Sequence, residues 1–152
     1  MQEDRVNLKK YILIFSAIYA GIFVFVNVLL HGFNIDVGSG ANMAMLIGAG
    51  YGSAINFVND NERAPDKKES NILALLCFLS TAVISIFGTF ILTLFVMSGA
   101  EAEGLKELLS SLSPVIWIII ASVIGFFYFL ILKLIFGWGA NKYASKKVKS
   151  EI

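Results

Sequence analysis

Four stretches of this chain contain no Asp, Glu, Lys or Arg: residues 11–35, 37–59, 70–100 and 108–132, which are 25, 23, 31 and 25 residues long. A helix crosses a ~30 Å hydrocarbon core in roughly 20 residues, so each stretch is long enough to span a bilayer. Backbone in lipid is satisfied within helices or closed barrels. Barrel strands alternate apolar and polar side chains over roughly 10 positions, and runs such as Ile12-Leu13-Ile14-Phe15 and Ile118-Ile119-Ile120 do not alternate. The expected fold class is therefore all-α. It is an integral membrane protein with one transmembrane domain over residues 1–152 and helices at about Tyr11–Leu30, Ser39–Val58, Asn71–Met97 and Pro114–Leu134. Composition agrees: 57% of residues are hydrophobic and 15% charged, against about 45–50% and about 25% in soluble domains.

Charge fixes the expected orientation. Arg5, Lys9 and Lys10 precede the first helix, Arg63, Lys67 and Lys68 lie between the second and third, and Lys142, Lys146, Lys147 and Lys149 follow the fourth. Two spans separate each group from the next, so these fall on one side, whereas the opposite side holds only Lys106. Basic residues collect on the cytoplasmic face, which places both termini and the 59–70 loop there. The outer loops are acidic, with Asp36, Glu101, Glu103 and Glu107. The N-terminal apolar segment is too long for a cleaved signal and reads as an uncleaved signal anchor. Lys133, near the end of the fourth helix, is placed to snorkel. Trp117 and Trp138 sit where interfacial aromatic belts form. Leu105, Leu108, Leu109 and Leu112 recur at helical spacing, as in a short amphipathic outer helix or a prolongation of the third helix. Ser70 or Asn71 is expected to cap the third helix.

Two helices carry unusual stripes. In the second, Gly40, Ala44, Gly48, Gly52 and Asn56 recur every fourth residue, with Ala41, Ala49 and Ser53 beside them. Small residues at that spacing let membrane helices approach closely, so this helix is expected to be central, its stripe a packing or oligomer interface. In the third, Cys77, Thr81, Ser85, Thr89 and Thr93 share one face. Hydroxyls in a helix can bond the carbonyl one turn back; this face is expected to meet the second helix or another subunit, with an aqueous lining as the alternative. Asn27, His31 and Asp36 form a possible polar cluster near the outer surface, where a carboxylate beside the one histidine would be pH-responsive.

Several chemistries lack their residues. One His and one Asp fall short of a metal ligand set, and a lone Cys77 cannot form an internal disulfide. Proton-coupled transport uses intramembrane carboxylates, and no span carries one at mid-depth. The glycines at positions 48 and 50 lie inside a membrane helix and make no phosphate loop. No catalytic residue, cofactor, metal or nucleic-acid partner is expected.

The run Ser39-Gly40-Ala41-Asn42, followed by small residues and then by Phe57-Val58-x-Asp60-x-x-Arg63-x-Pro65-x-x-x-Glu69, resembles the AciT family of small bacterial inner-membrane proteins, which includes a trimeric transmembrane protein of Acinetobacter. The opening Tyr11-Ile12-Leu13-Ile14-Phe15-Ser16, with Val26-Asn27-Val28-Leu29-Leu30, is similar to the same family. The resemblance spans residues 8–90. It implies a homotrimer of the inner membrane with a part in keeping the cell envelope sound, and no assigned reaction. On the matching positions, Arg63 and Glu69 pair or bracket the turn made by Pro65, either as a solvated turn or as a dock for a protein or anionic lipid. The first functional expectation is a non-enzymatic oligomer contacting membrane lipids and an unknown membrane protein. The second is a small channel or transporter with a Ser/Thr-lined path.

Overall fold

The computed structural model describes residues 6–33, 40–95, 103–104, 107, 110–111 and 113–150. Its elements are helices: α1 Leu8–Phe33, α2 Gly40–Asn61, α3 Lys67–Phe95, α4 Pro114–Leu134, a π-helical turn Ile135–Gly139, and α5 Ala140–Ser150. Three segments are long and apolar enough to cross a membrane: Leu8–Leu30 (mean hydropathy 2.5), Lys67–Ile91 (2.3) and Pro114–Lys149 (2.8). At 22 residues α2 has the length, but its glycines and asparagines keep it less apolar than these three. Leu105, Leu108, Leu109 and Leu112 lie outside the described residues.

The helices are longer than their apolar runs. α3 starts at Lys67 and is capped neither by Ser70 nor by Asn71. Asp66 caps it: Asp66 Oδ1 accepts from the Glu69 backbone N–H at 2.7 Å, and Glu69 Oε2 accepts from that of Asp66 at 2.8 Å. This reciprocal capping box satisfies two amides that the helix leaves open. At the start of α4, Ser113 takes an extended conformation, its Oγ accepts from Ile116 N–H, and Pro114 occupies the first turn. Proline there gives up an N–H with no helical partner. The residues after Leu134 do not leave the helix. They pass through the π turn and continue as α5, so the basic tail is helical.

From α1 to α4, consecutive helices run antiparallel. The start of α1 meets the end of α2 through Lys10 and Asp60, and Ser70 near the start of α3 lies beside Gly137 in the π turn. The core is centred on an aromatic ladder. Tyr11, Phe15, Tyr19 and Phe23 recur every fourth residue of α1 and are all buried. Residues at that spacing stack along one helix face: the Phe15 and Tyr19 rings lie 6.0 Å apart, those of Tyr19 and Phe23 6.3 Å, and Tyr11 meets Phe57 of α2 at 4.8 Å. Space for these side chains comes from small residues opposite. Gly88 of α3 lies under the Phe23 ring, where a Cβ would come within 2.9 Å of Cζ. A Cβ at Gly52 would stand 2.7 Å from Ile18 Cδ1.

Candidate functional site

The polar side chains with the most partners collect at the end of the bundle where α2 turns into α3. Asn61, the last residue of α2, donates through Nδ2 to the Phe57 carbonyl and to the Tyr11 hydroxyl, both at 2.8 Å. Glu62 then adopts φ 54° while its N–H returns to the Val58 carbonyl at 2.9 Å. A left-handed residue closing the last turn is a common way to end a helix. Arg63 follows and grips Glu69 with both nitrogens of its fork, Nη1 to Oε2 at 2.7 Å and Nη2 to Oε1 at 2.8 Å. Its Nη1 also donates to the Ala64 carbonyl at 3.1 Å, and its guanidinium carbon lies 5.7 Å from the Phe57 ring centre. Glu69 thus serves Arg63 and the helix cap at once, and Pro65, in the turn between them, is buried.

Two further ties secure this end. Lys10 Nζ pairs with Asp60 Oδ2 at 2.8 Å across α1 and α2. The Lys10 hydrogen bond, followed by that of Tyr11, holds the Asp60 carboxyl below the usual aspartate range. Tyr143 of α5 donates to Asn59 Oδ1 at 3.4 Å. Beyond the turn, Lys67, Ser70, Asn71, Lys133, Gly137 and Asn141 are among the residues that line a polar cavity of about 330 Å³. Lys142 Nζ stands 4.9 Å above the Trp138 ring, a cation–π contact at the same level.

The stripes of the sequence distribute as follows. On α2, Gly40, Ala44, Gly48 and Asn56 are exposed and Gly52 is half-buried against Ile18. The buried face is the neighbouring one: Met45, Leu46, Ala49, Gly50, Ser53, Ala54, Phe57 and Val58. Asn56 bonds the Gly52 carbonyl of its own helix at 2.8 Å. On α3, Thr81 is buried and donates to the Cys77 carbonyl at 3.0 Å, Ser85 is half-buried within 3.0 Å of the Tyr19 hydroxyl, and Thr89 is exposed. The helix that meets this stripe is α1, where sequence reasoning places α2 or another subunit; the large α1 aromatics need the small α3 residues opposite. Asn27 bonds the Phe23 carbonyl at 2.7 Å. Asp36 and the His31 side chain lie outside the described residues.

Sequence reasoning singles out Arg63, Pro65 and Glu69 but misses the Lys10–Asp60 and Tyr11–Asn61 pairs, which join residues 50 apart in the chain. The every-fourth-residue aromatic spacing from Tyr11 to Phe23 is the available signal. Among the described residues, no three His, Cys, Asp or Glu side chains gather closely enough to hold a metal ion. No family model, no curated protein and no solved structure matches this chain.

Proposed function

We propose that this chain is a non-enzymatic, multi-pass protein of a bacterial inner membrane that works as a homotrimer and supports the cell envelope through contacts with lipids and other membrane proteins. In this reading all four long helices cross the bilayer, and the loop at 59–70 and both termini face the cytoplasm, where basic residues accumulate. The carrying observation is the apolar exterior of α1, α3 and α4. Phe25, Ile86, Phe87, Ile118, Phe126 and Phe127 all point away from the core, Ile86 with 69% and Ile118 with 66% of its surface exposed. Apolar surface of that extent, wrapped around three long helices, marks contact with membrane or partner. The exposed small residues Gly40, Ala44 and Gly48 of α2 suit close approach of a second copy.

The competing reading is a channel or transporter path along Thr81, Ser85 and Thr89. Support for it is weaker, because Thr81 and Ser85 spend their hydroxyls on the Cys77 carbonyl and Tyr19. Native mass spectrometry of protein released gently from membranes tests the proposal. A trimer retaining lipid is the expected result; a monomer, or an oligomer free of lipid, would overturn it and favour the path.

A further inference from the structure

One seam between α3 and the α4–α5 rod carries two adjoining cavities, one lined by lysine, serine and asparagine side chains and one almost wholly apolar. At the turn end lies the polar cavity of about 330 Å³. Next to it, between the same two helices, runs an open apolar groove of about 570 Å³, lined by Leu75 and Phe78 of α3 and by Ile118, Ser122, Gly125 and Phe129 of α4, among others. The two are in register. Asn71 in the polar cavity is one turn from Leu75 in the groove, and Lys133 is one turn from Phe129. Gly125 forms part of the floor, where a Cβ would stand 3.0 Å from the Phe78 ring.

The polar cavity is suited to an anion. Lys67 and Lys133 are exposed at its edge, and neither is ion-paired with a described residue. Asp66 also lines it, but its Oδ1 is committed to the Glu69 N–H. Ser70 is 5% exposed, and the little surface it keeps is in the cavity wall. Its hydroxyl can rotate to donate to an oxygen seated between the two lysines. Trp138, 63% exposed beneath Lys142, marks the headgroup level at this same end.

Length supplies the other half. From Ile118 to Phe129 the groove rises through eleven residues, roughly 16 Å at ~1.5 Å per residue. One leaflet is half of a ~30 Å core, about 15 Å. Counted from Lys133 in the polar cavity, Ile118 is fifteen residues away, roughly 22 Å at ~1.5 Å per residue, so the groove takes an acyl chain whose headgroup sits at the polar cavity and whose tip passes mid-membrane.

We propose that this seam binds one anionic phospholipid, its phosphate held between Lys67 and Lys133 with the Ser70 hydroxyl donating to it, and an acyl chain laid along Phe129, Gly125, Ser122 and Ile118. The assignment rests on the membrane reading given above and names its lipid site. Charge complementarity and the head-to-tail order of the two cavities favour a lipid over a partner helix, which would leave the polar end unmatched.

Native mass spectrometry of the full chain, titrated with phosphatidylglycerol, phosphatidylcholine or inorganic phosphate, tests it. Phosphatidylglycerol should bind in preference to phosphatidylcholine. The double variant Lys67→Gln/Lys133→Gln should weaken it by about tenfold or more, and Ala121→Phe, which fills the groove from an exposed position, should weaken both lipids. Thermal melting of each variant near the unmodified value establishes that folding is intact. The site is overturned if phosphatidylglycerol binds both variants unchanged, if phosphate alone displaces the lipid, or if Ala121→Phe changes the subunit number and leaves lipid binding alone. Unchanged binding in the variants leaves the membrane reading standing, whereas a chain that retains no lipid of any kind removes both.

Discussion

The hydroxyl of Ser53, fully buried on α2, donates to the backbone carbonyl of Tyr11 on α1 at 2.8 Å. A side chain short enough to bring two backbones together and polar enough to bond across them ties α2 to the aromatic ladder of α1. Replacing it by Ala removes one hydrogen bond, worth about 0.5–1.5 kcal/mol, and leaves the Tyr11 carbonyl with its helical partner. Replacing it by Leu forces the helices apart. Thermal melting in detergent should show a small loss for Ser53→Ala and a large one for Ser53→Leu; equal losses would contradict the close packing.

Glycines on the inner and outer faces should separate in the same assay. Gly88→Ala drives a Cβ into the Phe23 ring and should cost about 1–3 kcal/mol, as overpacking does. Gly52→Leu meets Ile18 and should destabilise the monomer, by more than Gly48→Leu does. Gly48 is exposed, and a Cβ added there would make ordinary contact with Ile22 Cδ1 at 3.8 Å. Gly48→Leu should therefore leave the monomer folded and weaken the oligomer. Size-exclusion chromatography with light scattering distinguishes these outcomes. An unchanged oligomer with Gly48→Leu would remove that stripe from the interface.

Glu62 holds φ 54° with a full side chain. That conformation costs a non-glycine residue about 1–2 kcal/mol, so Glu62→Gly should raise stability by about 1 kcal/mol and Glu62→Val should lower it. Chemical denaturation of both variants checks the sign. Stabilisation by Val would mean that the turn is not left-handed in solution.

Glu69 has two duties, and they can be dissected. Glu69→Gln keeps an acceptor for the Asp66 N–H while losing the charge that Arg63 grips; Glu69→Ala loses both. Exposed pairs contribute about 0–1 kcal/mol and capping contacts typically ~1 kcal/mol, so the Ala variant should melt clearly below the Gln variant. Equal melting points would place the stabilisation in the ion pair alone.

Asp60 gives the chain a mild sensitivity to acid. Lys10 lowers its folded-state pKa, so its contribution to stability is complete above the unfolded-state pKa and is lost as pH falls through the lower folded value. Lys10→Met should remove that contribution, so the neutral plateau falls slightly and the acid limb flattens. Because both side chains are exposed, added salt should have a similar effect. An acid limb unchanged in Lys10→Met would assign it to other carboxylates.

Three membrane-length helices are legible in the sequence because lipid imposes a crude requirement, some 20 residues without charge, that α1, α3 and α4 state openly. Helix ends are not, since hydropathy reports where lipid stops rather than where the helix stops. Leu8, Lys9 and Lys10, Asp60 and Asn61, and Lys67 to Ser70 are helical yet polar or terminal. The cap of α3 is hidden for the same reason: Ser70 marks the edge of the apolar run, while Asp66 and Glu69 have the spacing of a capping box. The α2 stripe lies one position off the buried face, because Gly48 and Gly52 draw the eye and Ala49 and Ser53 do the packing. Arg63 and Glu69 stand out as a motif; the Lys10–Asp60 and Tyr11–Asn61 contacts require the antiparallel pairing to be known.

The π turn at Ile135–Gly139 gives the α4–α5 rod a change of phase. Each residue of an α-helix advances by about 100°, and a π turn accommodates one extra residue without ending the helix. Everything beyond Gly139 is therefore rotated by about a quarter-circle relative to an uninterrupted rod. The azimuth of the basic α5 is set independently of the apolar flank of α4, so Tyr143 can reach Asn59 while α4 keeps its own heading. Deleting one residue there would spin the tail about its axis and carry Tyr143 away from Asn59.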